Sequence, residues 1–295
     1  MEVLSDILRG MHVHGSVYFC DKLEAPWTLK FDEADRASFH MVRRGHCWVK
    51  TADGYEQLGP GDLVYLEAGV KHTLTSSPPS SATPGGACTL LLCGYCDFDD
   101  GTSSPLLDVF PSVTIVRDEE IRQHAWLKAT LDQLSNEFTA RQPGAELVID
   151  KLTEIVIVEL IRINFGRAGD SAFVQALSDK QISAALHLLH EKPEQHWTLQ
   201  SLAEEIGMSR AAFARRFREL VGLPMFEYLT NIRIERAREL LSAGNLPITE
   251  VAYRVGYESS VAFTKTFRKQ TGLTPAKYRK ARRESSLQED SARAP

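Results

Sequence analysis

The pattern of apolar and polar positions changes character along the chain. Over residues 1–105 the apolar positions come in short or alternating runs: Trp27–Phe31, Ala37–Val42, His46–Lys50, Leu63–Leu66 and Cys88–Tyr95. Runs of this length predict β-strands. Asp53-Gly54 and Gly59-Pro60-Gly61-Asp62 separate them with turn chemistry, and Pro78–Gly86 reads as a loop between strands. Closely spaced strands with tight turns predict a small sandwich or barrel. From Glu119 the period lengthens to three or four, through Trp126, Leu127, Leu131, Leu134 and Phe138. After the break at Gln142-Pro143-Gly144 it resumes with Leu147, Leu152, Ile155, Val156 and Leu160. Two antiparallel helices fit this spacing. The second is apolar around much of its circumference (Ile155, Val156, Ile157, Val158, Leu160, Ile161, Ile163). One face is expected against the strands; the other is either buried in its own domain or paired with a second copy.

Helical patterning resumes after residues 166–177, read as a linker, and runs to about Arg283, with a polar tail at 284–295 expected to be disordered. Within this stretch one unit occurs twice. Ser209–Arg218 (SRAAFARRFR) and Ser259–Arg268 (SSVAFTKTFR) align at an offset of 50, as do Gly222 with Gly272 and Leu223 with Leu273. At 100° per residue, Phe213, Phe217 and Leu220 face inward in the first copy, and Phe263 and Phe267 in the second. Ala211, Ala214, Arg215 and Arg218 face outward, and so do Val261, Thr264, Lys265 and Arg268. Two superimposable basic faces, each behind a shorter helix, suit adjacent stretches of a DNA major groove. Arg215 has the donor fork for guanine, Lys265 a single donor group, and Ala211 or Val261 can meet a thymine methyl. The long helix expected over Leu229–Ser242 would hold the two faces about one DNA turn, roughly 34 Å, apart.

Charge supports the division. Residues 178–283 hold 18 Lys and Arg against 11 Asp and Glu; residues 1–177 hold 15 against 25. A basic module that meets phosphate is thus joined to an acidic one that does not. The start is acidic and the longest apolar run is short, so a cytoplasmic chain with no export signal and no membrane span is expected. Five cysteines, an odd number, do not suggest a structural disulfide framework.

Residues 198–279 resemble the DNA-binding domain of the AraC/XylS family of transcription regulators. The resemblance is carried by Leu202-Ala203, Gly207–Arg210, Phe213, Arg216-Phe217, Gly222–Pro224, Tyr228-Leu229, Arg233, Ala237, Leu240-Leu241, Ile248, Val251-Ala252, Val255–Tyr257, Phe263, Phe267, Gly272–Pro275 and Tyr278-Arg279. It implies a non-enzymatic regulator, usually an activator, that binds promoter DNA and contacts RNA polymerase. The family's base-reading positions fall on Ala211, Ala214, Arg215, Ser260, Val261, Thr264 and Lys265. Residues 1–165 resemble the cupin-type sensor domain of one branch of these regulators, through Gly45, Leu58–Asp62, His72, Cys93-Gly94, Pro143-Gly144, Leu152 and Leu160–Arg162.

The expected architecture is therefore α+β. A cupin-like β-barrel (1–105) is followed by a helical pair serving as dimerisation segment (106–165), the linker, and an all-α domain with two helix-turn-helix units (178–283). A metal-binding cupin would carry His-x-His where this chain has His40-Met41-Val42, so His40 and His72 are read as lining a ligand; no metal or cofactor is expected. Some relatives of this branch use a cysteine near the N-terminus with one in the Cys-Gly position as a thiol switch. Cys20 and Cys93 stand in those places, with Cys88 as an alternative partner. The effector is then an oxidant or a small molecule. The rival reading is a cupin-fold metal-dependent enzyme or small-molecule binding protein.

Overall fold

The computed structural model describes residues 2–10, 13–32, 36–78, 87–98, 111–169 and 171–292. The loop expected at Pro78–Gly86 lies, beyond Pro78, outside them. The chain divides into two compact units. The sensor unit comprises Val13–Phe98 and Asp108–Arg167.

Among the described residues, nine strands build its two antiparallel sheets. In chain order they are β1 (Val13–Glu24), β2 (Thr28–Phe31), β3 (Ala37–Arg44), β4 (Cys47–Thr51), β5 (Gly54–Leu58), β6 (Leu63–Leu66), β7 (His72–Thr75), β8 (Cys88–Phe98) and β9 (Val113–Val116). One sheet has the order β1-β8-β3-β6-β9 and the other β2-β7-β4-β5. The core lies between them: Val42, Val64, Leu66, Leu91 and Cys93 from the first sheet meet Cys47, Val49, Leu58 and Leu74 from the second. Because strand residues alternate faces, Phe39, Met41 and Leu92 point out of the first sheet and need their own cover. Helices α3 (Ala125–Ala140) and α4 (Ala145–Arg167) supply it, after the short α2 (Asp118–Gln123). Arg43 on β3 bonds Asp132 on α3 at 2.5 Å, fixing the helix on the sheet.

The Gly59–Asp62 turn is tied to the start of α2. The buried Asp62 carboxylate accepts from Gly59 N (3.0 Å), Asp118 N (2.9 Å) and Arg117 Nη1 (2.9 Å). Gly61 has φ +90°, and a Cβ there would lie 2.2 Å from Asp118 Oδ1, so the turn requires glycine.

The second unit contains Ala168–Pro295 and, from the start of the chain, α1 (Glu2–Gly10). Its other helices are α5 (Ala172–Ser178), α6 (Lys180–Glu191), α7 (Leu199–Glu205), α8 (Arg210–Val221), α9 (Met225–Ala243), α10 (Ile248–Arg254), α11 (Ser260–Thr271) and α12 (Pro275–Ala292). Four expectations about boundaries change. The helix α1 buries Val3 and Ile7 and joins Asp6 to His187 Nδ1 at 3.0 Å, so the first residues pack with the helical unit rather than the barrel. The segment after residue 105 supplies the edge strand β9 as well as helices. The linker shrinks because α4 runs to Arg167 and α5 buries Phe173 and Ala176. Finally, α12 continues through Ala292 where a disordered tail was expected; Glu284, Leu287, Gln288, Glu289 and Ala292 are good helix formers.

The apolar circumference of α4 also resolves into two sides. Val156, Ile157, Leu160, Ile161 and Ile163 are buried within the unit, whereas Leu147, Val148 and Ile155 remain exposed.

Candidate nucleic-acid interface

The repeat seen in the sequence is a repeat in space. Each copy is built around an aromatic ladder. Phe213 meets Phe217 at 5.5 Å, and Phe217 meets Tyr228 edge-on at 5.8 Å. Fifty residues on, Phe263 meets Phe267 at 5.6 Å, and Phe267 meets Tyr278 edge-on at 5.4 Å. All four phenylalanines are fully buried, and offset or edge-on rings are the favoured contact. Leu220, expected inside, is only half-buried.

The ends of both recognition helices follow from their caps. Ser209 accepts from Ala212 N (3.3 Å) at the start of α8, and Ser259 accepts from Val261 N (3.3 Å) at the start of α11. Gly222 and Gly272 end them with φ of 83° and 73°, the left-handed cap open to glycine. Thr198 and Ser201 form a capping box on α7. Asp179 caps α6 and also binds Arg216, which orients α8 on the helix behind it.

With the aromatic faces fixed inward, the opposite faces are presented to solvent. Ala211, Arg215 and Arg218 are exposed on α8, and Ala214 is half-buried among them. Val261, Lys265 and Arg268 are exposed on α11, with Ser260 and Thr264 half-buried. Val261 is 77% exposed, costly for an apolar side chain that has nothing to meet. Arg215 is paired only loosely, with Glu219 at 3.8 Å. A shallow depression joins the α11 face to the start of α12, so that Lys269 and Thr274 line it beside Ser260, Val261, Thr264, Lys265 and Arg268. Sequence reasoning had not singled out Lys269 or Thr274. Their signal was the Gly-Leu-Thr-Pro stop, which folds the next helix back beside this one.

The sensor unit holds a second polar feature. His40 and His72, 32 residues apart, are joined Nε2 to Nε2 at 2.9 Å in the barrel interior. His72 Nδ1 donates to Val70 O at 2.9 Å, so His72 Nε2 carries the lone pair and His40 Nε2–H is the donor. That leaves His40 Nδ1 as a bare acceptor, buried and without a partner among the described residues; the Trp27 Nε1–H donor is in the same position. Burial pushes both imidazoles below their usual range, His40 further than His72. Phe31 stacks on His72 at 4.5 Å.

The cysteines do not assemble as expected. Cys93 stands opposite Phe19 and Cys20 opposite Leu92, so the two thiols leave opposite faces of the sheet. Cys93 joins the core between the sheets, while Cys20 turns toward Thr139 on α3. Diverging Cβ vectors cannot be bridged without moving backbone, which corrects the expected Cys20–Cys93 pairing. Cys88 pairs with Glu24, four residues along β1 from Cys20, and lies five along β8 from Cys93, roughly 13 and 16 Å away, out of reach of either. Burial raises the Cys20 and Cys93 thiols, and takes Cys47 up to about 12.

Comparison with known proteins agrees with both halves. Residues 2–166 match a cupin family model, and residues 202–281 match a helix-turn-helix domain model. The chain is 29% identical to a Streptomyces lividans protein described as an AraC-like transcription regulator, over 95% of this chain and 98% of that one. It is 28% identical to the HTH-type transcriptional regulator AlkR of Acinetobacter baylyi, over 95% and 99%. Among solved structures, the DNA-binding domain of AdpA in complex with a target DNA is 36% identical. It covers 37% of this chain and 98% of that one, with a TM-score of 0.35.

Proposed function

Since the chain belongs to the AraC/XylS family of DNA-binding transcription regulators, with a cupin domain ahead of its helix-turn-helix domain, we propose that it reads two neighbouring segments of promoter DNA through α8 and α11. The observation that carries this reading is the pair of outward faces, alike at a 50-residue offset and backed by the same buried ladder. Arg215 reads a base, with Ala211 and Ala214 allowing close approach. Ser260, Val261, Thr264 and Lys265 form the second reading face. Arg218 and Arg268 meet phosphate, with Lys269 and Thr274 beside the latter.

The proposed output is activation through RNA polymerase, from a homodimer. The exposed Leu147, Val148 and Ile155 on α4 support the dimer, because an apolar stripe left in water favours association. For the signal, raised thiol pKa values and the opposed Cys20 and Cys93 side chains favour a small molecule inside the barrel over an oxidant. The unpartnered His40 Nδ1 and Trp27 Nε1 are the groups such a molecule would satisfy.

Replacing Arg215 with Ala tests the reading assignment. Specific binding should weaken by about 1–3 kcal/mol with relaxed preference at one base pair. Arg218→Ala should weaken all sequences alike and flatten the salt dependence. An Arg215→Ala protein with unchanged sequence preference would overturn it.

A further inference from the structure

One arginine touches both helix-turn-helix units. Arg233, half-buried on α9, donates from Nε to Pro193 O (2.7 Å) and from Nη2 to Gln195 O (2.9 Å). Those carbonyls belong to the loop that leads into α7, so this half of the contact holds the first unit. The same guanidinium lies 5.7 Å from the centre of the Tyr257 ring, in the turn of the second unit. Tyr257 in turn packs edge-on against Phe263, inside the second recognition helix, at 5.4 Å.

The two units also press directly on each other at this point. Gly256 has φ +84°, and a Cβ there would lie 2.7 Å from Glu194 O and 2.8 Å from Arg233 Nη2. Beside it His196 Nδ1 approaches Glu258 at 3.6 Å. The loop at Pro193–His196, the Arg233 side chain and the turn at Gly256–Glu258 therefore form one joint.

The repeat shows what is special about it. Fifty residues on, Arg283 bonds Asn245, the counterpart of Gln195, and Arg279 Nη2 donates to Leu246 O at 2.6 Å. In both copies an arginine on the following helix pins the loop ahead of its own unit. In the first copy that arginine also grips the next unit. The gripped turn is one residue longer there: Gly256-Tyr-Glu-Ser259 replaces Gly207-Met-Ser209. The extra length lies in Tyr257-Glu258, the residues that meet Arg233 and His196.

We infer that Arg233 is a positioning residue that locks the two recognition helices at one separation and so sets the half-site spacing the protein accepts. The inference rests on the proposal that α8 and α11 read DNA. A planar guanidinium can hold two carbonyls and lie over a ring at once, which neither Lys nor Ala can do. Losing it frees the second unit to swing about α9.

The test uses the full chain and a duplex selected from a random-sequence library by repeated rounds of binding to the wild type. Two derivatives carry one base pair inserted or removed between the contacted segments. Wild type should lose about tenfold or more on either, since a displaced helix mismatches every base it reads. Arg233→Ala and Arg233→Lys should bind the original duplex more weakly and distinguish the three spacings by less than about threefold. Circular dichroism melting identifies folded variants; if the alanine variant does not fold, the lysine variant decides alone. A folded variant that binds more weakly but keeps the wild-type spacing preference would overturn the inference. A wild type that selects no sequence would instead overturn the DNA-reading proposal.

Discussion

Acid should loosen the helical unit through one histidine. His190 on α6 sits beside Tyr228, Nε2 to Oη at 2.9 Å, and burial lowers its pKa from 6.5 to about 4. The Asp6 carboxylate opposes that shift and His187 adds to it. In the unfolded chain the imidazole titrates near 6.5, so between the two values unfolding takes up a proton. Stability is complete above the unfolded value and falls as pH drops toward the folded one. Linkage between 6.5 and about 4 gives a loss of about 2 kcal/mol at pH 5 and about 3 kcal/mol by pH 4. Urea unfolding of wild type and His190→Gln at pH 7 and pH 5 isolates this contribution, because all other titrating groups are common to both. The variant should start less stable but lose about 2 kcal/mol less between the two pH values. Equal losses would mean that His190 is not held neutral by its surroundings, and the reasoning would fail.

Three further outcomes are expected. Gly94→Ala should destabilise the sensor unit by about 1–3 kcal/mol in thermal melts, because a Cβ there would lie 2.2 Å from Phe39 Cζ and 2.7 Å from Ser16 O; an unchanged melt would show that the strands accommodate the methyl. Ile155→Asp should shift the proposed dimer toward monomer in light scattering while leaving the fold intact, since Ile155 is 43% exposed, and a wild type that is monomeric would end the dimer proposal; Ile157 and Ile161, buried in the same helix, are unsuitable for this test. Alkylation of the native protein followed by mass spectrometry should label Cys20 ahead of Cys47 and Cys93, and mild oxidation should yield no Cys20–Cys93 crosslink; that crosslink forming readily in folded protein would restore the thiol switch.

The helical unit was the more legible half because its signals are local. Capping serines, terminal glycines and two phenylalanines a turn apart fix each recognition helix without reference to distant residues, and α7 and α10 are the shorter helices expected ahead of them. The strand β6, an apolar run between turn signals, was equally plain at Leu63–Leu66. By contrast β1 was missed: it is an edge strand with half-solvated residues, and a bulge between Val17 and Phe19 breaks its alternation. The strand β5 is also at an edge, where polar residues suffice. The strand β9 exists because β6 offers it a partner, and the place of α1 is set by a tertiary contact with α6. Both barrel histidines were named from their residue type, but a bond between positions 40 and 72 depends on how two sheets face each other. The cysteine pairing failed for a related reason: neighbours in adjacent strands share a site only when their register puts them on the same face.

Footprinting on a library-selected duplex would show whether both recognition helices reach DNA. Two protected major-groove segments should appear on one side of the helix, about one turn (roughly 34 Å) apart, with Arg215→Ala altering contacts in one and Lys265→Ala in the other. A single protected segment, or both substitutions acting on the same one, would contradict the claim that α8 and α11 read neighbouring stretches of DNA.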